Sequence, residues 1–143
     1  MIAPRIVIAA TPRQRDDAFA VRIAVFVEEQ GIPRSDELDG FDASATHCVC
    51  YVAGAPVAAG RLLLFDDYAK IGRMAVLASH RGTGLGALVL DALEREAAAH
   101  GIHHIKLSAQ LHARAFYERC GYIAHGEVYD DVGIPHIDMQ KRV

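Results

Sequence analysis

The feature that most constrains this chain is the glycine-rich segment R-G-T-G-L-G at positions 81–86. It lies between a predicted strand and a long stretch of helical periodicity, so it connects a strand to the start of a helix. Glycine can adopt positive φ and lets the backbone approach a ligand closely. The first N–H groups of the helix, together with the helix dipole, favour an anion at this point. A diphosphate fits that description, and the guanidinium of Arg81 matches the geometry of phosphate oxygens.

Three interpretations of this segment are open. The first is a tight strand-to-helix turn that binds nothing. The second is a nicotinamide-dinucleotide site, because Gly82, Gly84 and Ala87 satisfy the G-x-G-x-x-G/A spacing. Such a site also needs an acidic residue about 20 residues later, whereas residues 103–108 read H-H-I-K-L-S. The third interpretation comes from the sequence that surrounds the loop.

Hydrophobic periodicity and turn signals predict seven strands and three helices. The predicted strands cover residues 5–9, 46–53, 56–65, 69–78, 102–108, 122–130 and 134–140, and the helices cover 12–29, 84–100 and 111–120. An irregular stretch is expected over residues 32–45. This order predicts an α/β (α+β) fold with a mixed, mostly antiparallel twisted sheet and a central βαβ unit, flanked by helices.

Length, charge and residue patterns indicate which kinds of protein and partner are expected. A chain of 143 residues is expected to form one domain, residues 1–143. A net charge of −3 without a basic block argues against a nucleic-acid partner. No apolar run approaches the roughly 20 residues of a membrane span, and the N-terminus lacks a signal-peptide pattern, so we expect a cytoplasmic protein without a membrane partner. The three cysteines and eight histidines form neither C-x-x-C nor H-E-x-x-H, so no metal is expected.

Two motifs together carry a resemblance to a known family. The first is Met74-Ala75-Val76 followed, after a short spacer, by the glycine segment. The second is the run A-R-A-F-Y-E-R-C-G-Y at 113–122. They resemble the GNAT superfamily of N-acetyltransferases, whose second motif is an A-x-x-F-Y-x-x-x-G-[FY] helix. The flanking runs at 25–33, 107–110 and 133–136 resemble the ElaA-like (YjcF-like) subgroup. The likeness extends from about residue 19 to residue 139.

The resemblance implies a single GNAT N-acetyltransferase domain that uses acetyl-CoA as co-substrate. In that family the strand before the loop splays away from its neighbour and pairs with the pantetheine arm, and the loop wraps the diphosphate. The amine acceptor, a small molecule or a peptide, would attack directly in a ternary complex. Whether the chain forms a homodimer is left open. The implied cofactor-binding residues are Met74, Ala75, Val76, Arg81, Gly82, Thr83, Gly84, Leu85, Gly86, Gln110, Phe116 and Tyr117.

The resemblance also implies roles in the chemistry. A backbone N–H near Val76 would bind the thioester oxygen as its negative charge develops. Tyr117 matches the family's general acid, and a phenol with a pKa of about 10 is protonated at neutral pH. An ammonium with a pKa of about 10.4 must lose a proton before it attacks, so a base or a water chain is expected. Glu28, His47 and His136 are the candidates, and the sequence does not choose among them.

Six carboxylates and one arginine occupy residues 28–42. One interpretation is a solvated loop, which is what most charge runs are. The other is an acidic surface that draws a cationic amine into the cleft.

Two alternatives to the acetyltransferase hypothesis come from other classes. One is a non-catalytic CoA-binding protein of the same fold, acting as a sensor or an interaction module. The other is a nucleotide-binding oxidoreductase, which the missing acidic residue opposes. An intact glycine loop and Tyr117 favour the enzyme.

Overall fold

The computed structural model describes residues 2–143, and this part of the chain contains seven β-strands and four α-helices. In chain order they are β1 (Arg5–Ile8), α1 (Pro12–Arg22), α2 (Arg34–Glu37), β2 (Thr46–Val52), β3 (Ala55–Leu64), β4 (Ala69–Val76), α3 (Leu85–Ala99), β5 (His104–Gln110), α4 (Arg114–Arg119), β6 (Ile123–Asp131) and β7 (Ile134–Arg142). A π-helical segment, Ile23–Glu29, continues α1, and single 3₁₀ turns occupy Ala78–His80 and Leu111–Ala113.

The strands form one seven-stranded sheet in the order β1-β2-β3-β4-β5-β7-β6. Neighbouring strands are antiparallel except β4 and β5, which are parallel and joined through α3. This is the βαβ unit that the sequence predicts, set inside a mostly antiparallel sheet. The predicted fold class is therefore confirmed.

The first helix begins where its cap residues predict. The side chain of Thr11 accepts the N–H of Gln14 at 3.2 Å, and Gln14 Oε1 accepts the N–H of Ala10 at 2.7 Å. These bonds satisfy N–H groups that a helix start leaves free. The helical segment reaches Glu29 as predicted, but its last seven residues are π-helical. Such segments are rare and occur often at functional sites.

Two hydrophobic clusters lie on opposite faces of the sheet. On one face, α3 and α4 cover residues that include Leu62, Ile105 and Met139. On the other face, α1 packs on β2, β3 and β4 through a cluster that includes Val21 and Val49. Alternate residues of β5 on this second face, namely Lys106, Ser108 and Gln110, remain at least partly exposed. That half of the face is therefore open to ligands.

The expectation of an irregular stretch over residues 32–45 is wrong at one point. Residues Arg34–Glu37 form the single-turn helix α2, which follows Pro33. The carbonyl of Pro33 accepts the N–H groups of Asp36 and Glu37 at 2.9 and 3.2 Å. Proline cannot donate, but it suits a helix start.

Candidate active site

A cleft opens where β4 and β5 separate. The two strands pair at only three positions, and the last pair is Ile71 with Leu107. Beyond it β4 continues to Val76 and β5 continues to Gln110 without pairing to each other. The edge of β4 that faces β5 is therefore free to pair with an extended ligand. A cleft of about 1310 Å³ lies here, and Met74, Ala75 and Val76 line it.

The glycine loop lies at one end of this cleft. Gly82 and Gly84 have φ of 75° and 85°, which few other residues adopt. A Cβ at either position would meet nothing within 4 Å, so it is the backbone conformation that requires glycine. Among residues 2–143, no side chain caps the first turn of α3. Its N–H groups can thus bind an anion in the cleft.

Three other loop residues have different roles. A Cβ on Gly86 would lie 3.3 Å from the ring of Phe116, so this glycine allows the two helices α3 and α4 to pack closely. Leu85 is buried in the core. The hydroxyl of Thr83 donates to the carbonyl of His80 at 2.5 Å, which holds the loop to the 3₁₀ turn before it.

Arg81 is engaged by a carboxylate in this structure. Its two terminal nitrogens donate to the carboxylate of Glu29 at 2.6 Å each, and its Nε donates to the carbonyl of Val76 at 2.9 Å. The hydrogen bonds from Arg81 hold the pKa of Glu29 below its ordinary value. Both side chains are exposed, and a phosphate presents the same paired oxygens as a carboxylate. Glu29 therefore satisfies the two terminal nitrogens of Arg81 with the same paired oxygens that a phosphate presents.

Tyr117 lies on α4 and lines the cleft from the side of the α3 and α4 core. It is 8% exposed, and its ring makes edge contacts with Phe116 and Tyr122 at centroid distances of 5.0 and 5.9 Å. Burial, with a smaller contribution from Cys120, raises the pKa of Tyr117. The phenol therefore stays protonated across the neutral range and can donate to a leaving group. Phe116 also lines the cleft.

Gln110 joins the two sides of the cleft through an amide pair. Gln30 Nε2 donates to Gln110 Oε1 at 3.1 Å, and Gln110 Nε2 donates to Gln30 Oε1 at 2.8 Å. Gln30 follows the π-helical segment, and Gln110 ends β5. The pair connects the two elements across the open side of the sheet. Sequence reasoning missed Gln30, since nothing local distinguishes it from a surface residue.

The structure brings one of the three base candidates to the cleft. His136 is buried and lines it, whereas Glu28 is exposed and His47 is buried, and neither lines it. His136 Nδ1 lies 2.7 Å from the carbonyl of Ile134. A carbonyl can only accept, so Nδ1 carries a proton and the neutral ring has its free lone pair on Nε2.

His47 is held inside the protein. Its Nε2 donates to the carbonyl of Asp42 at 3.0 Å, and its Nδ1 has no partner within residues 2–143. Burial lowers the pKa of His47, because the charged ring would lose its hydration. The neutral ring packs edge-on against Phe19 at a centroid distance of 5.1 Å.

The acidic stretch has two halves. The carboxylates of Glu28, Glu29 and Asp36 are exposed, whereas those of Glu37, Asp39 and Asp42 are held in ion pairs. Three of its carboxylates are paired with arginines from other elements: Arg22 with Glu37 at 2.9 Å and with Asp42 at 2.8 Å, Arg61 with Asp39 at 2.7 Å, and Arg73 with Asp39 at 3.1 Å. Burial opposes ionisation of Asp42, but the bonds from Arg22 and Arg61 bring its pKa below the ordinary value. The count of charged residues over positions 28–42 included only Arg34, because the three partner arginines lie outside that segment. The interpretation as a solvated loop is therefore wrong for Glu37, Asp39 and Asp42, while the attraction of a cationic amine stays a prediction for Asp36, which is exposed and lines the cleft.

Two absences can be stated for residues 2–143. No helix there is long and apolar enough to cross a membrane. No group of three or more histidine, cysteine, aspartate or glutamate side chains is arranged to hold a metal ion.

Comparison with known proteins places this geometry in a family. Residues 16–143 match the acetyltransferase (GNAT) domain family, so the chain belongs to the GNAT acetyltransferases. It is 42% identical over 136 residues to the uncharacterized N-acetyltransferase YjcF of Bacillus subtilis, covering 94% of this chain and 97% of YjcF. It is also 35% identical over 129 residues to the ElaA protein of Escherichia coli, covering 86% of this chain and 84% of ElaA.

Solved structures show the same fold. The crystal structure of Escherichia coli ElaA matches with a TM-score of 0.83 at 29% identity, covering 99% of this chain and all of ElaA. An aminoglycoside 6'-N-acetyltransferase complexed with coenzyme A matches with a TM-score of 0.74 at 17% identity, over 96% of each chain. The predicted membership in the ElaA-like and YjcF-like subgroup of the GNAT family is confirmed.

The pairing of Glu29 with Arg81 leads to a prediction about cofactor affinity. Glu29→Gln removes the carboxylate that competes for the guanidinium, so the KM for acetyl-CoA should fall. Arg81→Ala should raise it, because the phosphate partner is lost. The measurement is acetyl-CoA titration at fixed amine. Glu127→Gln, an exposed change of the same charge on β6, should leave the KM unchanged. Equal effects of the two glutamate variants would assign the change to net charge alone.

Proposed function

We propose that this protein transfers an acetyl group from acetyl-CoA to a primary amine by direct attack in a ternary complex. Family membership establishes the acyltransferase class, and the finer assignment rests on one observation. The free edge of β4 and the positive-φ glycine loop adjoin a single cleft. An extended amide-containing arm and a diphosphate, the two parts of CoA, suit these two features.

The proposed cofactor contacts follow from the geometry of each part. Residues 74–76 offer strand-like backbone groups to the pantetheine arm. The first turn of α3, together with Gly82 and Gly84, offers N–H groups to the diphosphate. Arg81 exchanges Glu29 for a phosphate oxygen pair.

Strand β4 and helix α4 supply the groups for the proposed chemistry. A backbone N–H of β4 near Val76 stabilises the charge that develops on the thioester oxygen. The amine attacks the carbonyl carbon, the C–S bond breaks, and the phenol of Tyr117 protonates the departing thiolate. The raised pKa of Tyr117 supports a donor role rather than a role as a base.

The acceptor is a small-molecule or peptide amine, and we place the activity in the cytoplasm. Cys48, Cys50 and Cys120 are all free thiols. This is consistent with a reducing compartment, because disulfides are rare there.

The first test concerns ligand choice. Acetyl-CoA at about 100 times its Kd should stabilise the protein by about 2.7 kcal/mol, which a thermal scan detects as a higher Tm. NAD should give no shift. Gly84→Val should remove the response to acetyl-CoA, because a β-branched residue does not tolerate positive φ. Gly40→Val, at an exposed glycine where a Cβ meets nothing within 4 Å, is the matched control. A shift with NAD and none with acetyl-CoA would favour the oxidoreductase instead.

The second test concerns Tyr117. Phenylalanine keeps the ring and its contacts but removes the only proton the side chain can donate. Tyr117→Phe should fold and bind acetyl-CoA, while kcat falls by about 10²–10⁴. The loss should shrink for an acyl donor whose thiol has a lower pKa, since that thiolate leaves without help. The Tm and the rate of free-thiol release are measured on the same preparation.

Two outcomes would contradict this proposed chemistry. A lower Tm with a normal kcat would make Tyr117 structural. Binding of acetyl-CoA by the wild-type protein without turnover of any amine would favour the non-catalytic sensor.

A further inference from the structure

A chain of three hydrogen-bonding side chains crosses the open half of the sheet. Ser108 on β5 bonds to the hydroxyl of Tyr129 on β6, and that hydroxyl donates to Asp138 Oδ1 on β7 at 2.7 Å. The strand register brings these residues together, because Ser108 is paired with Asp138 and Tyr129 with His136. Paired residues place their side chains on the same face of a sheet.

The chain has a fixed direction. A carboxylate can only accept, so the single proton of the Tyr129 hydroxyl is used in the bond to Asp138. Ser108 must then donate its own proton to the oxygen of Tyr129. Both lone pairs of the serine oxygen are left as acceptors. The end of the chain at Ser108 therefore accepts hydrogen bonds and has none left to donate.

The accepting end lies in the cleft. Ser108 lines it, whereas Tyr129 and Asp138 do not. Ser108 also follows Leu107, the last residue of β5 that pairs with β4. It thus lies at the point where the strands separate. The rest of the chain leads outward, since Tyr129 is 39% exposed and Asp138, at the other end, is half-buried.

Ser108 and Tyr117 lie on opposite faces of the sheet. Leu107 and Ala109 point into the core that contains Tyr117, and residues alternate along a strand, so Ser108 points the other way. A direct attack needs the nucleophile on one side of the thioester and the leaving-group acid on another. The arrangement provides this separation.

We propose that Ser108 accepts the proton of the incoming ammonium and passes its own proton through Tyr129 to Asp138. The proposal rests on the proposed function and supplies its missing base. The N–H bond of the ammonium breaks, Ser108 gains that proton, and each hydroxyl passes its original proton one step outward. Asp138 releases the proton to solvent. The amine then attacks, loses its second proton to solvent, and solvent restores the proton that Tyr117 gave to the thiolate.

The neighbours of the relay are consistent with this assignment. His136 stacks on Tyr129 at a centroid distance of 6.1 Å, His125 is paired with Asp138, and Asp131 and Lys106 lie on the flanking strands. Burial raises the pKa of Tyr129, and its bond with Ser108 opposes this. Tyr129 thus remains a neutral hydroxyl that can accept a proton from Ser108 while it donates its own to Asp138. Ser108 contacts the substrate, while Tyr129 and Asp138 act through it as positioning residues.

The experiment compares amines of different basicity at saturating acetyl-CoA and neutral pH. Glycylglycine offers an α-amino group with a pKa of about 8, and Nα-acetyl-lysine offers an ammonium with a pKa of about 10.4. Tyr129→Phe and Asp138→Asn should lower kcat/KM for the lysine compound by about 10²-fold, near the low end of general-base effects. The loss should be clearly smaller for glycylglycine, which carries more free amine. The KM for acetyl-CoA should not change.

Two controls make the result specific. Asp130→Asn removes an exposed carboxylate of the same hairpin that accepts only a turn N–H, and it should behave as the wild type. His136→Asn tests the rival base. If only His136→Asn produced the basicity-dependent loss, or if folded Tyr129→Phe and Asp138→Asn matched Asp130→Asn, the relay would be wrong. If the wild-type protein acetylated neither amine, the proposed function would be wrong for these acceptors and the relay would fail with it. Failure of the relay alone would leave acetylation by the wild-type protein intact.

Discussion

The separation of β4 from β5 is the constraint on which the rest of the site depends. A parallel pair that ends at Ile71 and Leu107 leaves the facing edges of β4 and β5 without partners in the middle of the sheet. Unpaired backbone groups are costly when they are buried, so such an edge must face solvent or a ligand. Helix α3 packs on β3 and β4, while α4 contacts β5 and β6, and one hydrophobic cluster joins the two helices beneath the opening. The amide pair between Gln30 and Gln110 joins them at the mouth.

The polar groups that line the opening also lie on two different faces of the sheet. Tyr117 approaches from the core under α3 and α4, whereas Ser108 and His136 lie on the side that α1 leaves uncovered. The arginine and carboxylate network holds the segment around α2 at the border of this uncovered side. Arg22 and Glu37 are each 1% exposed, and removing one partner of such a buried pair typically costs about 3–5 kcal/mol. The wall of the cleft around α2 is thus held by ion pairs whose charges are largely balanced.

Local patterns predicted much of this molecule, and long-range pairing set the rest. The helix cap at Thr11, the positive φ of Gly82 and Gly84, and the βαβ order are encoded within a few residues, so the sequence predicts them. Glu29 with Arg81, and Arg22 with Glu37, join residues 52 and 15 positions apart, and no local signal pairs them. The relay through Tyr129 depends on the register of three strands. A shift of one residue would point its members to opposite faces.

Amide hydrogen exchange along β4 tests the central claim most directly. We expect saturating CoA to slow exchange at one or more amides of residues 72–76, because the pantetheine arm would pair with the edge that β5 leaves free. Exchange should also slow in the first turn of α3, where the diphosphate binds. Protection confined to the separate cavity of about 440 Å³ beside Arg5 and Tyr51, with β4 unchanged, would contradict the account.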